Sequence, residues 1–421
     1  MRKISLISFV AIITLALPSC KKKTTSEGLS NSQQTQILNN YADILEAGYE
    51  DSYTAAVNLQ SAVNAFVANP TAQGLVAAKA AWLAAREPYM QTEMSRFYGG
   101  PIDGDNGDPL LNSWPIDEGY IDYLIGDPHS YTTYTTGPVD TTGIINMISL
   151  YPDITSQLLI NDNQPGGGTT DGSGNNVDVS VGYHTVEFLL WGQDATPASA
   201  KIPGQRPYTD YITTGGGTSV NQARRGIYLQ TVTNLIVSNL QSMVYAWAPN
   251  QDNYRATFVA NTSLGIANIF NGIGRLAKGE LSGQRMAVPL VLHTQEQEHS
   301  CFSDNTHRDI WLDMQGIVNA YYGRYIRTNG EVVSGLGISD YVKALNPADD
   351  SMMGLKLTTA QTSLQAIVDN KPFDYLIDGS NSAGNQIVQN GVNSVSGVAD
   401  WITQIAQDLK LNLVTIPPTN P

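Results

Sequence analysis

The sequence predicts an all-α protein whose long helices pack as two bundles, with long irregular loops between them. Apolar residues recur at helical spacing through most of the chain, while runs typical of strands are few and short. The segments between the periodic stretches are rich in Gly, Pro and Asn, which favour turns. With 421 residues the chain is longer than one typical domain, and long amphipathic helices pack as bundles.

We predict the first helical-bundle domain over residues 33–245. Apolar side chains recur every three or four residues in three stretches, which are expected to form helices at 33–67, 71–97 and 220–247. Asn69-Pro70 is expected to end the first helix, and the Gly-Gly-Pro sequence at 99–101 to end the second.

The second helical-bundle domain is predicted over residues 246–413, followed by a polar tail at 414–421. Its expected helices cover residues 252–285, 304–327, 347–370 and 385–413. Ser303 or Asp304 is a plausible N-cap for the second of these helices. Strand character is confined to two short candidates, at 177–186 and 331–335.

The first 20 residues are predicted to be a lipoprotein signal peptide. Arg2 and Lys3 precede an apolar run too short to span a bilayer, and the run ends in Leu-Pro-Ser-Cys at Cys20. A Cys after a small residue at this point is typical of lipidation, which would tie the mature protein to a membrane; the alternative is ordinary cleavage near Ser19. Residues 21–32 are expected to form a flexible tether.

The charge balance bears on the class of partner. The formal net charge is -15, and this argues against nucleic acid, because phosphate backbones require a basic surface. An acidic chain is compatible with cations as partners, and also with simple solubility.

One apolar stretch carries two titratable groups. In VGYHTVEFLLWGQD, residues 181–194, His184 and Glu187 are three residues apart and would share one face of a helix. Bundle proteins use this spacing for inward-facing metal ligands. The stretch is not HExxH, so the helical zinc-peptidase arrangement is absent. The alternative is a core pair in which the two groups satisfy each other.

A second stretch, residues 293–309, is dense in nitrogen and oxygen ligands, which suit iron or zinc. His293, Glu296 and His299 are spaced three apart and, if helical, would lie along one face. Asp304 and His307 repeat the spacing.

Simpler interpretations exist for several of these side chains. Asp304 is expected to be only a cap if it does not bind a ligand, and His307 with Asp309 to be solvated. Glu298 would then lie at the surface. Cys301 is either a buried apolar side chain or a nucleophile or soft ligand.

Acids and aromatics also cluster in the irregular part of the first half. Arg96, Asp103, Asp117, Glu118 and Asp122 lie near rigid turns. Loops of this composition form either packed lids or ligand-binding walls.

Four stretches together resemble the imelysin family, in its iron-regulated protein A branch: GYHTVEFLLWG, NSWPIDEGYIDY, GELSGQRM and EQEHSCFSDNTHRD. Gly182, His184 and Glu187 match the family signature GxHxxE, and the resemblance extends from about residue 33 to 413. It implies two bundles related by duplication, with the signature near their interface. It also implies a lipoprotein or periplasmic protein of the Gram-negative cell envelope, at the outer membrane, on its periplasmic side or at the cell surface.

The resemblance implies a role in iron acquisition. In the favoured hypothesis, iron or an iron-bearing ligand binds at a site built around GxHxxE. The ligands are then expected to come from five residues: His184, Glu187, Glu298, His299 and His307. Supporting or ligand-binding positions are expected at Arg96, Asp103, Trp114, Asp117, Glu118, Arg285, Glu296 and Asp304.

Two alternatives remain open. The family was first classed as metallopeptidases, so His184 would bind an iron or zinc ion and Glu187 would act as ligand or general base on a peptide substrate. Arg96 or Arg285 would then steady the oxyanion. In the other alternative, the protein is a non-catalytic surface module whose polar cluster only organises the core.

Overall fold

The structure, a computed structural model, describes residues 28–125, 143–165 and 177–411. The predicted signal peptide with Cys20 and the tail at 414–421 lie outside the described residues. The described chain is all-α, as predicted, with one small two-stranded sheet.

The helices of the first half are α1 Asn31–Ala68, α2 Ala72–Met90, α3 Asp108–Leu111, α4 Glu118–Ile121, α5 Gly143–Asn146, α6 Ser156–Asp162, α7 Tyr183–Trp191 and α8 Gln222–Trp247. Those that follow are α9 Tyr254–Ala260, α10 Thr262–Arg275, a π-helix Leu276–Ala287, α11 Val288–Leu292, α12 Thr306–Tyr322, α13 Ile338–Leu345, α14 Pro347–Asp369, α15 Phe373–Ile377 and α16 Ser382–Asp408. The strands are β1 Arg324–Ile326 and β2 Val332–Ser334, which pair antiparallel.

The long helices pack in two groups. In the first half, α1 packs along α2 and α8, and α7 is held between α2 and α8. In the second half, α16 packs against α14 and the π-helix, and α12 lies against α14. Contacts between α2 and α12 and between α1 and α10 join the groups. The domain boundary at 245/246 and the duplication stay predictions.

Several predicted helix ends are wrong, each for a local reason. The second helix ends at Met90 instead of near Phe97, and a 3-10 turn at Glu93–Ser95 follows. The predicted helix 252–285 is interrupted at Asn261, whose side chain accepts a hydrogen bond from the Leu264 amide and starts a new helix.

The helix predicted at 304–327 covers only Thr306–Tyr322. Its N-cap is Asn305, so neither Ser303 nor Asp304 occupies that position. Gly323 ends it at φ +65°, in the left-handed region that glycine adopts readily. The chain then forms the β1–β2 hairpin, which confirms the strand candidate at 331–335.

The strand candidate at 177–186 is wrong. Asp178 forms an isolated bridge with Gln164, and the chain enters α7 five residues later. In the part of the chain that the structure covers, no helix combines the length and apolar character needed to cross a membrane.

Candidate functional site

The signature glycine starts α7 for a geometric reason. Gly182 has φ +99°, and a Cβ placed there would lie 2.8 Å from the carbonyl oxygen of Leu111. Both the conformation and the close approach exclude a side chain. The turn directs the next residues into the core, so every side chain of α7 is buried.

His184 and Glu187 form a hydrogen-bonded pair on α7, as their i, i+3 spacing predicts. His184 Nδ1 lies 3.0 Å from Glu187 Oε2. The other carboxylate oxygen, Oε1, accepts hydrogen bonds from the Ser303 amide (2.9 Å) and hydroxyl (2.6 Å). Glu187 therefore links α7 to the loop that precedes α12.

The second histidine of the site is His299, which lies on that same loop region. The His184 and His299 rings meet edge to face, with centroids 4.7 Å apart. His299 Nδ1 lies 2.9 Å from Asp309 Oδ2 on α12. The two ligand-rich stretches of the sequence therefore do meet in space.

Asp309 is fully buried and is held by a dense set of donors. Arg86 on α2 forms an ion pair with it at 2.9 Å, and the Ser300 hydroxyl and Asn305 amide also donate to its carboxylate. Burial alone would raise the pKa of Asp309, but Arg86 and His299 hold it well below its usual range. The carboxylate is thus ionised next to His299, and the solvated alternative for Asp309 is wrong.

Both imidazoles are neutral, because burial disfavours the charged form. Burial lowers the pKa of His184 well below its ordinary value, and the nearby His299 and Arg86 add to this. Burial, and secondarily the charge of Arg285, lowers the pKa of His299 to about 3. Since Nδ1 of neutral His299 faces an ionised carboxylate, Nδ1 carries the proton and Nε2 offers a lone pair.

The Nε2 atoms of His184 and His299 are buried and have no hydrogen-bond partner in the described part of the chain. Metal-binding histidines commonly have this arrangement, in which Nδ1 is fixed by a carboxylate and Nε2 binds the ion. The pair therefore fits a metal such as iron or zinc, with Glu187 and Asp309 as orienting groups. Among the described residues, no third His, Cys, Asp or Glu places a ligand atom close enough to form one three-ligand site with His184 and His299.

Glu187 has an unusual protonation behaviour. Burial raises its pKa to about 8, and the Ser303 hydrogen bonds oppose that rise without cancelling it. The nearby Asp309 charge raises it further. Around neutral pH the carboxyl therefore holds a proton, which Oε2 donates to His184 Nδ1, and the ring proton of neutral His184 is then on Nε2. Binding of a cation at Nε2 would release that ring proton and move the carboxyl proton to Nδ1.

A cleft of about 330 Å³ opens beside His299. Arg96, Trp114 and Arg285 line it, and the Trp114 ring stands edge-on to His299 at 5.4 Å between centroids. The Trp114 indole donates to the Glu298 carbonyl at 2.6 Å, which fixes the backbone next to His299. The volume lies within the range of small-molecule sites.

The two arginines of the cleft are held by buried carboxylates. Arg285, in the π-helix, bonds Asp313 at 2.6 Å and Glu93 at 2.8 Å. Arg96 also bonds Glu93 at 2.8 Å and pairs with Asp108 at 2.9 Å. Burial opposes ionisation of Glu93, but the two arginines lower its pKa to about 2. The guanidinium groups are therefore fixed in place.

The expected common helical face of the second stretch is wrong. His293 ends α11 in the left-handed conformation, with φ +52°, and its Nδ1 lies 2.7 Å from the Ile377 carbonyl. Gln295–Gln297 is a 3-10 turn, so His293, Glu296 and His299 do not line up. Glu296 is buried within that turn.

Two of the five expected ligands lie apart from the histidine pair. Glu298 is fully buried, so its surface alternative is wrong, and the charges of Asp374 and Asp304 act on its carboxyl group. His307 lines a different cleft beside Asp304, with its Nδ1 2.9 Å from the Asp304 carbonyl.

The remaining sequence candidates are buried or structural. Asp103 accepts hydrogen bonds from four successive amides, those of residues 97–100. Asp117 and Glu118 are buried at the start of α4. Cys301 is a buried free thiol whose pKa burial raises well above its ordinary value, which matches the buried, apolar interpretation.

Sequence reasoning missed Arg86, Asp309 and Ser303 as members of the site. Arg86 lies on the buried stripe of α2, with Trp82 and Tyr89, and a charge on an apolar stripe was the available signal. Nothing local indicated that its partner would be Asp309 on α12.

The fold and the site together define an all-α protein built around two buried histidines that each contact a buried carboxylate. The family model for imelysin matches residues 45–400. The chain therefore belongs to the imelysin family.

Other proteins are similar to this chain in sequence or in fold. The chain is 34% identical over 83 residues to iron-regulated protein A of Synechococcus elongatus, a match that covers 20% of this chain and 23% of that relative. A crystal structure from Parabacteroides distasonis ATCC 8503, named after an iron-regulated protein A precursor, matches 90% of this chain and 96% of its own at TM-score 0.64 and 18% identity. An imelysin-like protein from Psychrobacter arcticus 273-4 matches 92% of this chain and 98% of its own at TM-score 0.61 and 14% identity. These two structures are similar in fold.

Proposed function

We propose that this protein binds iron, or a small iron-bearing ligand, through His184 and His299, in iron acquisition at the cell envelope. The observation that carries the proposal is the pair of buried Nε2 atoms without partners, on rings whose Nδ1 atoms are fixed by Glu187 and Asp309. Imidazole nitrogen suits iron, and the fixed Nδ1 contacts orient the rings before an ion arrives.

The surroundings favour iron that arrives with ligands of its own. The described residues supply two imidazoles and no third side-chain ligand of the usual types, so the remaining coordination positions fall to the incoming molecule or water. The cleft beside His299 has room for a small chelate, and the guanidinium groups of Arg96 and Arg285 line it in fixed positions. The names of the similar proteins also refer to iron regulation.

The envelope location belongs to the same proposal. A lipid on Cys20 would hold the folded part of the protein at the outer membrane, facing the periplasm or the outside. Residues 21–32 would act as a flexible tether between the membrane and the folded part. Lipidation is tested by mass spectrometry of the N-terminal peptide from native membranes, with Cys20→Ala as the control.

The metallopeptidase alternative has less support from the geometry. Both oxygens of Glu187 are held by His184 and Ser303, so the carboxylate is positioned as an orienting group instead of a base facing a water molecule. The peptidase alternative predicts that digestion of a denatured protein requires Glu187 and stops in Glu187→Gln.

Iron binding is tested by loading the purified protein with Fe(II) without oxygen, or with ferric citrate, and measuring retained iron after desalting. We expect retention by the wild type and by His293→Ala, which removes an exposed histidine, and loss in His184→Ala and His299→Ala. Equal retention by all four proteins would contradict the proposal.

A further inference from the structure

Three acidic residues from separate segments meet at a second place in the fold. Asp194 follows α7, Asp304 precedes α12, and Asp374 lies in α15. One carboxylate oxygen from each lies within 4.8 Å of the other two. All three side chains are buried, with residue exposures of 5%, 8% and 3% respectively. These residues are called the acidic triad below.

The negative charge of the acidic triad is compensated by few hydrogen-bond donors and by no close cationic side chain of the described residues. Asp194 accepts two hydrogen bonds from Thr196, but Oδ1 of Asp374 has no hydrogen-bond partner. Within the described ranges, no cationic side chain forms an ion pair with any of the three at 4.0 Å or less. Lys201 acts on Asp374 from a distance, and its ammonium stands over the Tyr375 ring.

Glu298 is a further buried carboxyl group whose charge interacts with those of Asp374, Asp304 and Asp194. The residue is fully buried, and neither carboxylate oxygen has a hydrogen-bond partner of good geometry. Burial raises its pKa, and the charges of Asp374 and Asp304 raise it further, while the Thr306 hydroxyl nearby favours the ionised form. A fully buried carboxyl group whose two oxygens lack hydrogen-bond partners, and whose charge interacts with those of the triad, is an independent indication of a missing counter-charge.

The acids also act on one another. Burial raises the pKa of Asp304 to about 8, with Asp374 and Asp194 as the neighbouring charges. Burial raises the pKa of Asp374 to about 6, again with a contribution from Asp194. Such mutual repulsion is costly in a buried setting unless a cation or protons compensate it.

We propose that the acidic triad is a calcium-binding site separate from the histidine pair, with Glu298 as a buried carboxyl group that adds negative charge to its surroundings. All three donors are carboxylate oxygens, which hard cations prefer and which differ from the imidazoles of the other site. Opposite ligands of Ca²⁺ are about 4.6–5.2 Å apart, because each lies about 2.3–2.6 Å from the ion. The spacing of the triad falls within that sphere.

Solvent reaches the triad from two sides. Asp374 lines a cleft of about 410 Å³, and Asp304 lines another of about 440 Å³. These clefts provide a route for the ion and room for the water ligands that Ca²⁺ commonly retains. Asp304 has φ +57°, a conformation that Asp and Asn tolerate better than most residues.

The position of the proposed site indicates a structural role. A bound ion would fasten together the end of α7, the turn that carries Ser303, and α15. Glu187 on α7 and Ser303 are already hydrogen-bonded, so the ion would reinforce the junction that brings His184 to His299.

The experiment is a thermal melt and a calorimetric titration of the chelator-treated, purified protein with CaCl₂, with MgCl₂ as comparison. We expect Ca²⁺ to raise the Tm by several degrees and to bind at one site, because a ligand that binds only the folded state stabilises it. Asp304→Asn and Asp374→Asn should not respond to Ca²⁺.

Matched variants separate this site from other sources of a calcium effect. Asp378→Asn removes an acid that lines the same cleft as Asp374 without belonging to the triad, and it should respond like the wild type. His184→Ala should also keep the Ca²⁺ response, whatever happens to iron binding. Asp194→Asn is a third variant expected to lose it. The proposal is overturned if Ca²⁺ has no effect on the wild type, if Asp304→Asn and Asp374→Asn respond normally, or if Asp378→Asn loses the response.

Discussion

The rings of His184 and His299 meet edge to face, with centroids 4.7 Å apart, although they come from opposite halves of the chain. Each ring has its Nδ1 atom against a buried carboxylate and its Nε2 atom without a partner. The contact between the two rings depends on a small number of buried polar contacts around them.

The Arg86–Asp309 pair should be essential to stability. Asp309→Ala leaves a fully buried guanidinium without its counter-charge, which costs about 3–5 kcal/mol of unfolding free energy. Urea denaturation measures the loss. The control is the solvent-accessible, half-buried pair of Arg308 and Glu87, where Glu87→Ala should cost at most about 1 kcal/mol. Similar small losses in both variants would show that Asp309 does not carry the buried charge.

Gly182→Ala should destabilise the protein by about 1–3 kcal/mol, because it forces a side chain into φ +99° and against the Leu111 carbonyl. The matched control is Gly279→Ala in the π-helix, where a Cβ meets nothing within 4 Å. Thermal denaturation of the two variants should differ clearly. An unchanged Tm in Gly182→Ala would refute the steric explanation of the signature glycine.

Glu187 should make the protein less stable as pH rises. Its folded pKa of about 8 lies above its ordinary value of 4.5, so the folded state holds a proton that the unfolded state releases between these two values. The free energy of unfolding, measured from pH 5.5 to 7.5, should fall less steeply in Glu187→Gln, by up to about 1.4 kcal/mol per pH unit.

Ser303→Ala provides the complementary test of the same carboxyl. It removes the hydroxyl donor that lowers the pKa of Glu187, so the pH-dependent loss should extend to higher pH than in the wild type. If Glu187→Gln and the wild type have parallel pH profiles, the carboxyl is not the source of the dependence.

Asp103 should be structural and not a ligand. Asp103→Ala leaves four backbone amides without their acceptor and should cost about 1–3 kcal/mol. Iron retention by the folded variant should equal that of the wild type. A folded Asp103→Ala protein of normal stability that fails to bind iron would instead place this residue in the binding site.

The sequence predicted the features that depend on local spacing. The contact between His184 and Glu187 follows from their i, i+3 positions on one helix, and the all-α fold follows from the apolar periodicity. The helical face assigned to His293, Glu296 and His299 failed because a left-handed residue and a 3-10 turn replaced the expected helix. Regular spacing alone does not reveal such a break.

The spacing of residues in the sequence did not predict which side chains from distant segments would contact each other. Arg86 meets Asp309 and Glu187 meets Ser303 through the packing of α2 and α7 against the second half of the chain. The same packing brings Asp194, Asp304 and Asp374 together, although only Asp304 stood out in the sequence. These contacts depend on tertiary geometry, which spacing within one element does not encode.

The most direct test of the central claim is X-ray absorption spectroscopy at the iron edge of the iron-loaded protein. We expect two imidazole nitrogens in the first coordination shell, falling to one in His184→Ala or His299→Ala if either variant still retains iron. A shell made only of oxygen ligands in the wild type would contradict binding at the histidine pair.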